Sequence, residues 1–274
     1  MDACIIEVAL NGTTTKAANP RVPRTPAEIT ADALACIEAG ATIVHNHNDE
    51  PMWVSDGVHA VQPYLDAWRP ILAAHPRAML YATMASGGPG IAIETRWAHH
   101  EALANAGVTR LGLVDPGSVS LGGDRVYINT HDDARHMIAR CAALGLAPSV
   151  SIFDPSFLRV ALAAPLPSGA LIKLYFGDRI LFGLPPTEAS LDAYLAMLDG
   201  TGLQWSVAVM GGDVVACGLA AAASDRGGHV RVGLEDHAGE GTPSNVELVR
   251  EAAALIGARG RAVADAEQTQ ALLS

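Results

Sequence analysis

The sequence predicts a single (β/α)₈ barrel that extends over residues 1–274. Half of the 274 residues are hydrophobic, so the chain can bury a large core, and barrels of about 250 residues form one domain. About eight strand–helix units follow one another, and no low-complexity linker divides them. The alternative is an open doubly wound sheet. It is disfavoured because Asn11-Gly12, after the first strand, is not followed by the glycines of a dinucleotide-binding loop.

Apolar runs rich in β-branched residues, most of them closed by small or polar residues, predict the eight strands. They cover residues 3–10, 41 to the histidine pair at 45 and 47, 78–84, 108–114, 147–153, 170–174, 203–209 and 229–236. In a barrel the carboxyl ends of these strands carry the active site. Residues that close the strands are therefore the candidates for function.

Helices are predicted between the strands. They cover residues 25–39, 57–74, 95–106, 132–144, 155–164, 187–198 and 214–223, with a last helix from residue 244. Thr25-Pro26-Ala27-Glu28 is typical of a helix start, and Ser244-Asn245-Val246-Glu247 has the spacing of a capping box. Pro63 and Pro70 do not suit a helix interior, so the limits of the second helix stay open.

Composition argues against nucleic acid and a membrane as partners. The formal net charge of −11 opposes phosphate binding, which needs a basic face. No apolar run approaches the roughly 18 residues of a membrane span, and no basic leader precedes an apolar segment. We therefore expect a cytoplasmic protein. The cysteines lack metal or redox spacing, as expected of reduced buried thiols, and none is a candidate nucleophile: Cys4, Cys36, Cys141 and Cys217.

Two histidines at the end of the second strand predict half of a metal site. His45 and His47 are two residues apart, so on a strand their imidazoles point to one face and suit a divalent ion such as zinc. Two polar residues at a strand tip are the alternative interpretation. The pair is flanked by further polar residues, which favours the ligand role.

A carboxylate at the end of the eighth strand would complete this site. Glu235 and Asp236 follow Arg231 by four and five residues, and two histidines with one carboxylate leave a fourth position open on zinc. The other carboxylate would face the substrate if the strand turns, held by charge-assisted hydrogen bonds from Arg231. A surface ion pair is the alternative interpretation of these three residues.

Small polar residues that close other strands are candidate substrate-binding groups. They are Asn11, Ser86, Gly87, Gly88 and Ser118. Glycines let a ligand approach the backbone, and exposed amides bind anions, although a plain turn has the same composition. Glu7 lies inside the first strand, where a carboxylate is either paired with a cation or part of the site.

Several motifs spread over nearly the whole chain belong together. They are Ala9-Leu10-Asn11-Gly12, Thr25-Pro26-Ala27-Glu28-Ile29, Ala39-Gly40-Ala41 with His45-x-His47, Trp205-Ser206-Val207, and Gly227-Gly228-His229-Val230-Arg231-Val232-Gly233-Leu234-Glu235-Asp236 followed by Ser244-Asn245. The chain resembles the β-keto acid cleavage enzyme family, and the last motif is the most specific. The resemblance implies a zinc-bearing barrel, commonly tetrameric, that converts a β-keto acid and acetyl-CoA into acetoacetate and an acyl-CoA.

The resemblance also implies roles for individual residues. His45, His47 and Glu235 would bind zinc, and Arg231 with Asp236 would form the catalytic dyad. Asp236 would remove a methylene proton, the enolate would attack the acetyl thioester, and the released CoA thiolate would cleave the adduct in a retro-Claisen step. Amides and hydroxyls near residues 86–88 and Ser118 would stabilise the oxyanions.

This chain departs from the family at the substrate pocket. The family usually has an arginine after the histidine pair, where this chain has Asp49, and acidic residues on strand five, where it has Ser149 and Ser151. We expect the loop at residues 13–24, with Asp49 and Glu50, to shape the pocket for the variable end of the substrate. Extra carboxylates there favour an amino or quaternary ammonium group.

Two other classes of protein stay open. A metal-dependent hydrolase of the amidohydrolase type also uses a histidine pair in a barrel, but its pair closes the first strand and further histidines close strands five and six. This chain has Phe153 and Leu174 there. A non-catalytic barrel that binds metal and CoA is the second alternative.

Overall fold

An eight-stranded parallel barrel surrounded by helices forms the centre of the molecule. The computed structural model describes residues 2–51, 53–86, 90–122 and 126–274. In chain order, their strands are β1 (Ile6–Ala9), β2 (Ile43–Asn46), β3 (Met79–Ala82), β4 (Leu111–Val114), β5 (Val119–Ser120), β6 (Val126–Tyr127), β7 (Ala147–Ile152), β8 (Leu171–Gly177), β9 (Gln204–Met210) and β10 (His229–Val232). The sheet order β3-β2-β1-β10-β9-β8-β7-β4 confirms the predicted barrel, and the open doubly wound sheet is wrong.

The barrel closes between its two outer strands, β3 and β4. Among the described residues no ladder of backbone hydrogen bonds joins these strands. The Thr109 hydroxyl crosses this seam instead and donates to the Leu80 carbonyl oxygen at 2.6 Å. The seam is thus closed by side chains and packing, whereas every other neighbouring pair shares backbone hydrogen bonds.

Helices cover the outside of the barrel. Within the described residues they are α1 (Pro26–Glu38), α2 (Gln62–Ala74), α3 (Ile93–Asn105), α4 (His131–Leu144), α5 (Pro155–Leu162), α6 (Glu188–Leu198), α7 (Leu219–Asp225), α8 (Asn245–Ala258) and α9 (Ala266–Leu272). The predicted capping boxes at Thr25 and Ser244 are confirmed. No helix in the described part of the chain combines the length and apolarity needed to cross a bilayer.

Two buried tryptophans attach the helices α2 and α3 to the strands. The indole N–H of Trp68 donates to Asn46 Oδ1 at 2.8 Å, and that of Trp97 donates to the Leu113 carbonyl oxygen at 2.9 Å. Both side chains are fully buried. These two hydrogen bonds hold β2 and β4, whose carboxyl ends lie at the barrel mouth.

The eighth barrel strand is shorter than predicted. It was expected over residues 229–236, but β10 ends at Val232. Gly233 has a φ of +135°, and a Cβ there would lie 2.1 Å from the Ala9 carbonyl oxygen, so only glycine fits. The chain then turns, because the Asp236 amide donates to the Gly233 carbonyl oxygen at 3.2 Å. Glu235 and Asp236 therefore lie in a turn and not on a strand.

Other boundaries also differ from the prediction. The seventh helix was expected over residues 214–223 and begins at Leu219, because the Asp213 carboxylate first accepts hydrogen bonds from the amides of Val215 and Ala216. The second helix begins at Gln62, with Pro63 in its first turn and Pro70 inside it. The antiparallel pair β5–β6 and the helix α9 were not predicted. The prediction of one domain over residues 1–274 stays a prediction.

Asn245, at the start of α8, links three parts of the barrel. Its side-chain oxygen accepts from the Leu234 amide at 2.8 Å, and its amide nitrogen donates to the Leu10 carbonyl oxygen at 2.8 Å and to Asp32 Oδ2 at 2.6 Å. The residue is fully buried. It holds the ends of β1 and β10 against α1.

Replacing this residue should destabilise the fold. Asn245→Ala leaves buried polar groups without partners, so we expect a loss of about 2 to 4 kcal/mol in the free energy of unfolding. Urea denaturation followed by circular dichroism measures it. Ser244→Ala removes only the adjacent helix cap and should cost about 1 kcal/mol. Equal losses in the two variants would contradict the linking role of Asn245.

Candidate metal and substrate site

Two buried histidines at the end of β2 and a glutamate of the turn after β10, whose side chain is 13% exposed, converge at the barrel mouth. His45 Nε2 lies 3.2 Å from Glu235 Oε2, and His47 Nε2 lies 3.4 Å from Glu235 Oε1. One donor atom from each residue falls within 4.8 Å of the other two. In the described part of the chain these residues form the sole group with such an arrangement. We call it the three-donor cluster.

The backbone fixes the two histidines. His45 Nδ1 lies 3.2 Å from the Tyr81 carbonyl oxygen, which only accepts, so Nδ1 carries the proton and Nε2 presents a lone pair. Burial lowers the pKa of His45 to about 4, which keeps its imidazole neutral. Asn11 holds His47: its Oδ1 accepts from the His47 amide at 2.8 Å and its Nδ2 donates to the His47 carbonyl oxygen at 3.0 Å.

Glu235 is positioned by a glycine and an arginine. A Cβ on Gly12 would lie 2.4 Å from Glu235 Cγ, so the side chain packs directly on the Gly12 backbone. Arg231 Nη2 lies 3.2 Å from Glu235 Oε1. Burial acts to raise the pKa of Glu235, but His45, Arg231 and His47 outweigh it and hold the pKa well below its usual range. The carboxylate is therefore ionised.

The three-donor cluster fits a divalent cation. His47 Nε2 and Glu235 Oε2 are buried without a hydrogen-bond partner among the described residues, even though these donor atoms lie close together. Lone pairs of imidazole and carboxylate groups that face one another repel unless a cation lies between them. Nitrogen and oxygen ligands in a His₂Glu set suit zinc, and two histidines with one carboxylate leave a coordination position for substrate.

Arg231 lies at the centre of the buried charges. Its guanidinium donates to Asp236 Oδ2 at 2.7 Å, to Glu7 Oε1 at 2.8 Å and to the Tyr81 hydroxyl at 3.0 Å. The Tyr81 hydroxyl in turn donates to Glu7. The expectation that Glu7 is paired with a cation is met. The surface ion pair considered for Arg231 is wrong, since its side chain is 1% exposed.

Burial and the charge of Arg231 act in opposite directions on the pKa of Asp236. The charge of Arg231 alone would lower this pKa. Burial is the larger effect and raises the pKa of Asp236, although Arg231 opposes this by its charge and hydrogen bonds. Asp236 does not line the main cavity. It lies behind Arg231 and lines a neighbouring void of about 10 Å³.

A cavity of about 290 Å³ opens from the three-donor cluster into the barrel. Among the residues that line it are His45, His47, Arg231, Glu235, Trp53, Thr83, Leu113, Asp115, Phe153, Lys173 and Tyr175. It therefore brings the candidate metal ligands and the arginine of the dyad to one enclosed space.

The candidate substrate-binding residues lie outside the lining of this cavity or outside the described residues. Asn11 is buried and hydrogen-bonded to the His47 backbone. Ser86 is buried, and its carbonyl oxygen accepts from the Val54 amide at 2.9 Å. The Ser118 hydroxyl is engaged by the backbone of Asn129. Gly87 and Gly88 lie outside the residues that the structure describes.

Two charged side chains in the cavity were missed from the sequence. Lys173 lies on β8; its Nζ donates to the Tyr81 hydroxyl at 2.8 Å, and burial lowers its pKa to about 8. Asp115 follows β4 and is 5% exposed. A lysine inside the apolar run at residues 170–174 was the available signal, because an isolated charge on a buried strand needs a partner or a ligand.

The fold and the site define a class: a (β/α)₈ barrel with a candidate metal centre at the carboxyl ends of its strands. The sequence profile of the β-keto acid cleavage enzyme family matches residues 3–274. The chain belongs to this family, whose members cleave carbon–carbon bonds.

Individual relatives agree with the family. A 3-keto-5-aminohexanoate cleavage enzyme of Fusobacterium nucleatum is 27% identical, over 100% of this chain and 98% of its own. A 3-oxoadipate:acetyl-CoA acetyltransferase of Cupriavidus necator is 31% identical, over 98% and 94%. The structure of apo ObcA superposes with a TM-score of 0.73 at 16% identity; this chain is covered to 93% but spans only 65% of ObcA. That similarity shows the fold.

Removing one imidazole should remove the metal. In His47→Ala we expect less than one tenth of the zinc content of the wild type, because two remaining donors hold zinc weakly. Elemental analysis after zinc loading and buffer exchange measures it. His131→Ala replaces an exposed histidine at the start of α4 and should retain full zinc. A folded His47→Ala variant with full zinc occupancy would contradict the ligand assignment.

Proposed function

We propose that this enzyme converts a β-keto acid and acetyl-CoA into acetoacetate and the CoA thioester of the remaining acyl group. Family membership supports the reaction class, and the name of the Cupriavidus necator relative includes acetyl-CoA. The observation that carries the proposal is the buried Arg231–Asp236 pair directly beside the three-donor cluster. The amidohydrolase-type alternative is disfavoured by the family match. A non-catalytic barrel is an outcome of the test below.

We propose zinc as the metal, held by His45, His47 and Glu235. When bound, it would supply a Lewis acid for the keto and carboxylate oxygens of the substrate and so acidify the methylene between them. The buried charges favour a dication: Glu7, Glu235 and Asp236 surround Arg231, and Lys173 adds only one further positive charge. Three carboxylates against two cations leave an excess of one negative charge, which the ion would more than offset.

Asp236 is the proposed general base. In this structure it lies behind Arg231, which holds its two oxygens through the bonds at 2.7 and 3.2 Å. It would therefore take a proton from the substrate methylene after its side chain shifts toward the cavity. The resulting carbanion attacks the acetyl carbonyl carbon and expels the CoA thiolate. The thiolate then attacks the original keto carbon, and the bond between that carbon and the former methylene carbon breaks. This step yields the acyl-CoA and the carbanion of acetoacetate, to which Asp236 returns the proton. A raised pKa suits a base that must later return the proton.

Residues around Ser86 are the proposed oxyanion donors. Ser86 follows Thr83 and Met84, which both line the cavity, and we keep Ser86, Gly87 and Gly88 in this role. Asn11 supports the site through the His47 backbone instead of through the substrate. Ser118 is also kept in this role, although its hydroxyl donates a hydrogen bond to the Asn129 carbonyl oxygen.

We further propose that the protein is cytoplasmic and assembles as a homotetramer, as its resemblance to the family implies. Exposed apolar side chains support an assembly. Val126 and Ile128 are 49% and 46% exposed, and Leu181 is 90% exposed.

The base assignment and the reaction are tested together. Zinc-loaded wild type with acetyl-CoA and a panel of cationic, neutral and anionic β-keto acids should release acetoacetate. Without acetyl-CoA it should still exchange the substrate methylene protons with deuterated water faster than the spontaneous rate. Asp236→Asn cannot accept the proton, so exchange should fall by about 10² to 10⁴, measured by proton NMR.

Zinc content is the control for this variant and should equal that of the wild type. Exchange at the wild-type rate in Asp236→Asn would assign proton removal to another group. A wild type that binds zinc and CoA but neither exchanges nor turns over any member of the panel would be a non-catalytic barrel.

A further inference from the structure

One carboxylate in the cavity has no role in the proposed reaction. Asp115 follows β4, lines the cavity, and is 5% exposed. The metal donors come from β2 and from the turn after β10, so Asp115 approaches the cavity from a different part of its wall. We asked what its carboxyl group recognises.

Among the described residues, only one of the two oxygens of the Asp115 carboxyl group accepts a hydrogen bond. Asp115 Oδ2 accepts a hydrogen bond from the Tyr127 hydroxyl at 2.8 Å. Oδ1 is buried and has no hydrogen-bond partner among the described residues. Burial raises the pKa of Asp115, and the charge of Lys173 and the Tyr127 and Ser151 hydroxyls oppose this. The Ser151 hydroxyl therefore lies near the carboxyl group, but it makes no hydrogen bond to Oδ1. A buried acceptor without a donor is costly and uncommon, and it points to a missing ligand group.

Lys173 does not satisfy this oxygen either. It is the cation whose charge acts most strongly on Asp115. Yet its ammonium group donates to Tyr81 and lies over the Tyr81 ring, 4.6 Å from the centroid. No carboxylate of the described residues lies within 4.0 Å of it. The Tyr81 ring also stacks on His45 at 4.4 Å, so Lys173 lies between the metal end of the cavity and Asp115.

The cavity is therefore polarised. At one end Arg231 and the three-donor cluster with its proposed zinc attract groups that carry negative charge or accept hydrogen bonds. Near β4 and β7, Asp115 offers an acceptor. Apolar side chains that suit methylene groups, Leu113 and Phe153, line the same cavity. A β-keto acid has its acceptors, the keto and carboxylate oxygens, at one end, and that end matches the metal side.

We infer that Asp115 binds a hydrogen-bond donor, a protonated amine or a hydroxyl, on the distal end of the β-keto acid. The inference rests on the proposed function and names the substrate class of the same site. A methyl group there would leave Oδ1 unsatisfied, and a distal carboxylate would place two negative charges together in a buried space. Tyr127 holds the carboxyl group in orientation.

This assignment replaces the expected role of Asp49 and Glu50. Asp49 is 68% exposed and pairs with Arg24 at 2.9 Å. Glu50 accepts from the Ala60 amide at 2.8 Å. Neither lines the cavity, and from the loop at residues 13–24 only Thr13 does. The selecting carboxylate is thus inside the barrel and not on the loops.

Matched substrates test the inference. β-Keto acids of equal chain length that end in an ammonium, a hydroxyl, a methyl or a carboxylate group are compared on zinc-loaded wild type, both by kcat/KM with acetyl-CoA and by calorimetric Kd without it. We expect the ammonium and hydroxyl compounds to exceed the methyl compound by about 10-fold or more in both measurements, as for a hydrogen bond to a charged group. The dicarboxylic compound should be the poorest.

Variants assign the preference to Asp115. Asp115→Asn keeps an acceptor without the charge, so the ammonium preference should fall by about 10-fold and the hydroxyl preference by less. Asp115→Leu should favour the methyl compound. Asp49→Asn is the matched control and should keep the wild-type order, since Asp49 is exposed and outside the cavity.

The outcomes separate the inference from the proposed function. Equal use of the methyl and ammonium compounds, a preference for the dicarboxylic compound, or an unchanged order in Asp115→Asn would overturn the inference. If no compound is turned over, the proposed function fails. In that case the calorimetric ratios of wild type and Asp115→Asn still decide which group Asp115 binds.

Discussion

The buried guanidinium of Arg231 is the constraint on which the rest of the interior depends. A cation that is 1% exposed is stable only if carboxylates surround it. Glu7 on β1, Asp236 after β10, and Glu235 meet this need, and Tyr81 on β3 adds a hydroxyl. The middle of the barrel is therefore charged where most barrel cores are apolar. Arg231 thus has two roles, because it pairs with the buried carboxylates and also lines the cavity for the candidate substrate.

Support for the site comes largely from groups that are not ligands. The Tyr81 carbonyl oxygen sets the tautomer of His45, and Asn11 holds the backbone of His47 at both its amide and its carbonyl group. Such outer contacts fix the direction of the donor atoms before any ion binds. The segments around residues 9–12 and 45–47 are therefore both needed to orient His47, although Asn11 and His47 are 36 residues apart.

Local patterns in the sequence were sufficient for the barrel and for the metal candidates. The strand–helix rhythm, the capping signals and the spacing of His45 and His47 each depend on neighbouring residues. Contacts between distant strands were beyond such patterns. Lys173 meets Tyr81 across the barrel, and Asp115 comes to lie beside Ser151 because β4 pairs with β7. β7 has Ser149 and Ser151 where the family usually has acidic residues, and Asp115, directly after the neighbouring strand β4, places a carboxylate beside them. The sequence of either strand alone does not show this arrangement.

The contact between Gly12 and Glu235 couples two positions 223 residues apart. Any side chain at position 12 would occupy the space of the glutamate stem, where a Cβ comes within 2.4 Å of Cγ and 2.9 Å of Cβ. The glutamate side chain at position 235 therefore fits only because position 12 has no side chain. A side chain at position 12 would push the Glu235 carboxylate away from the two histidines that it faces.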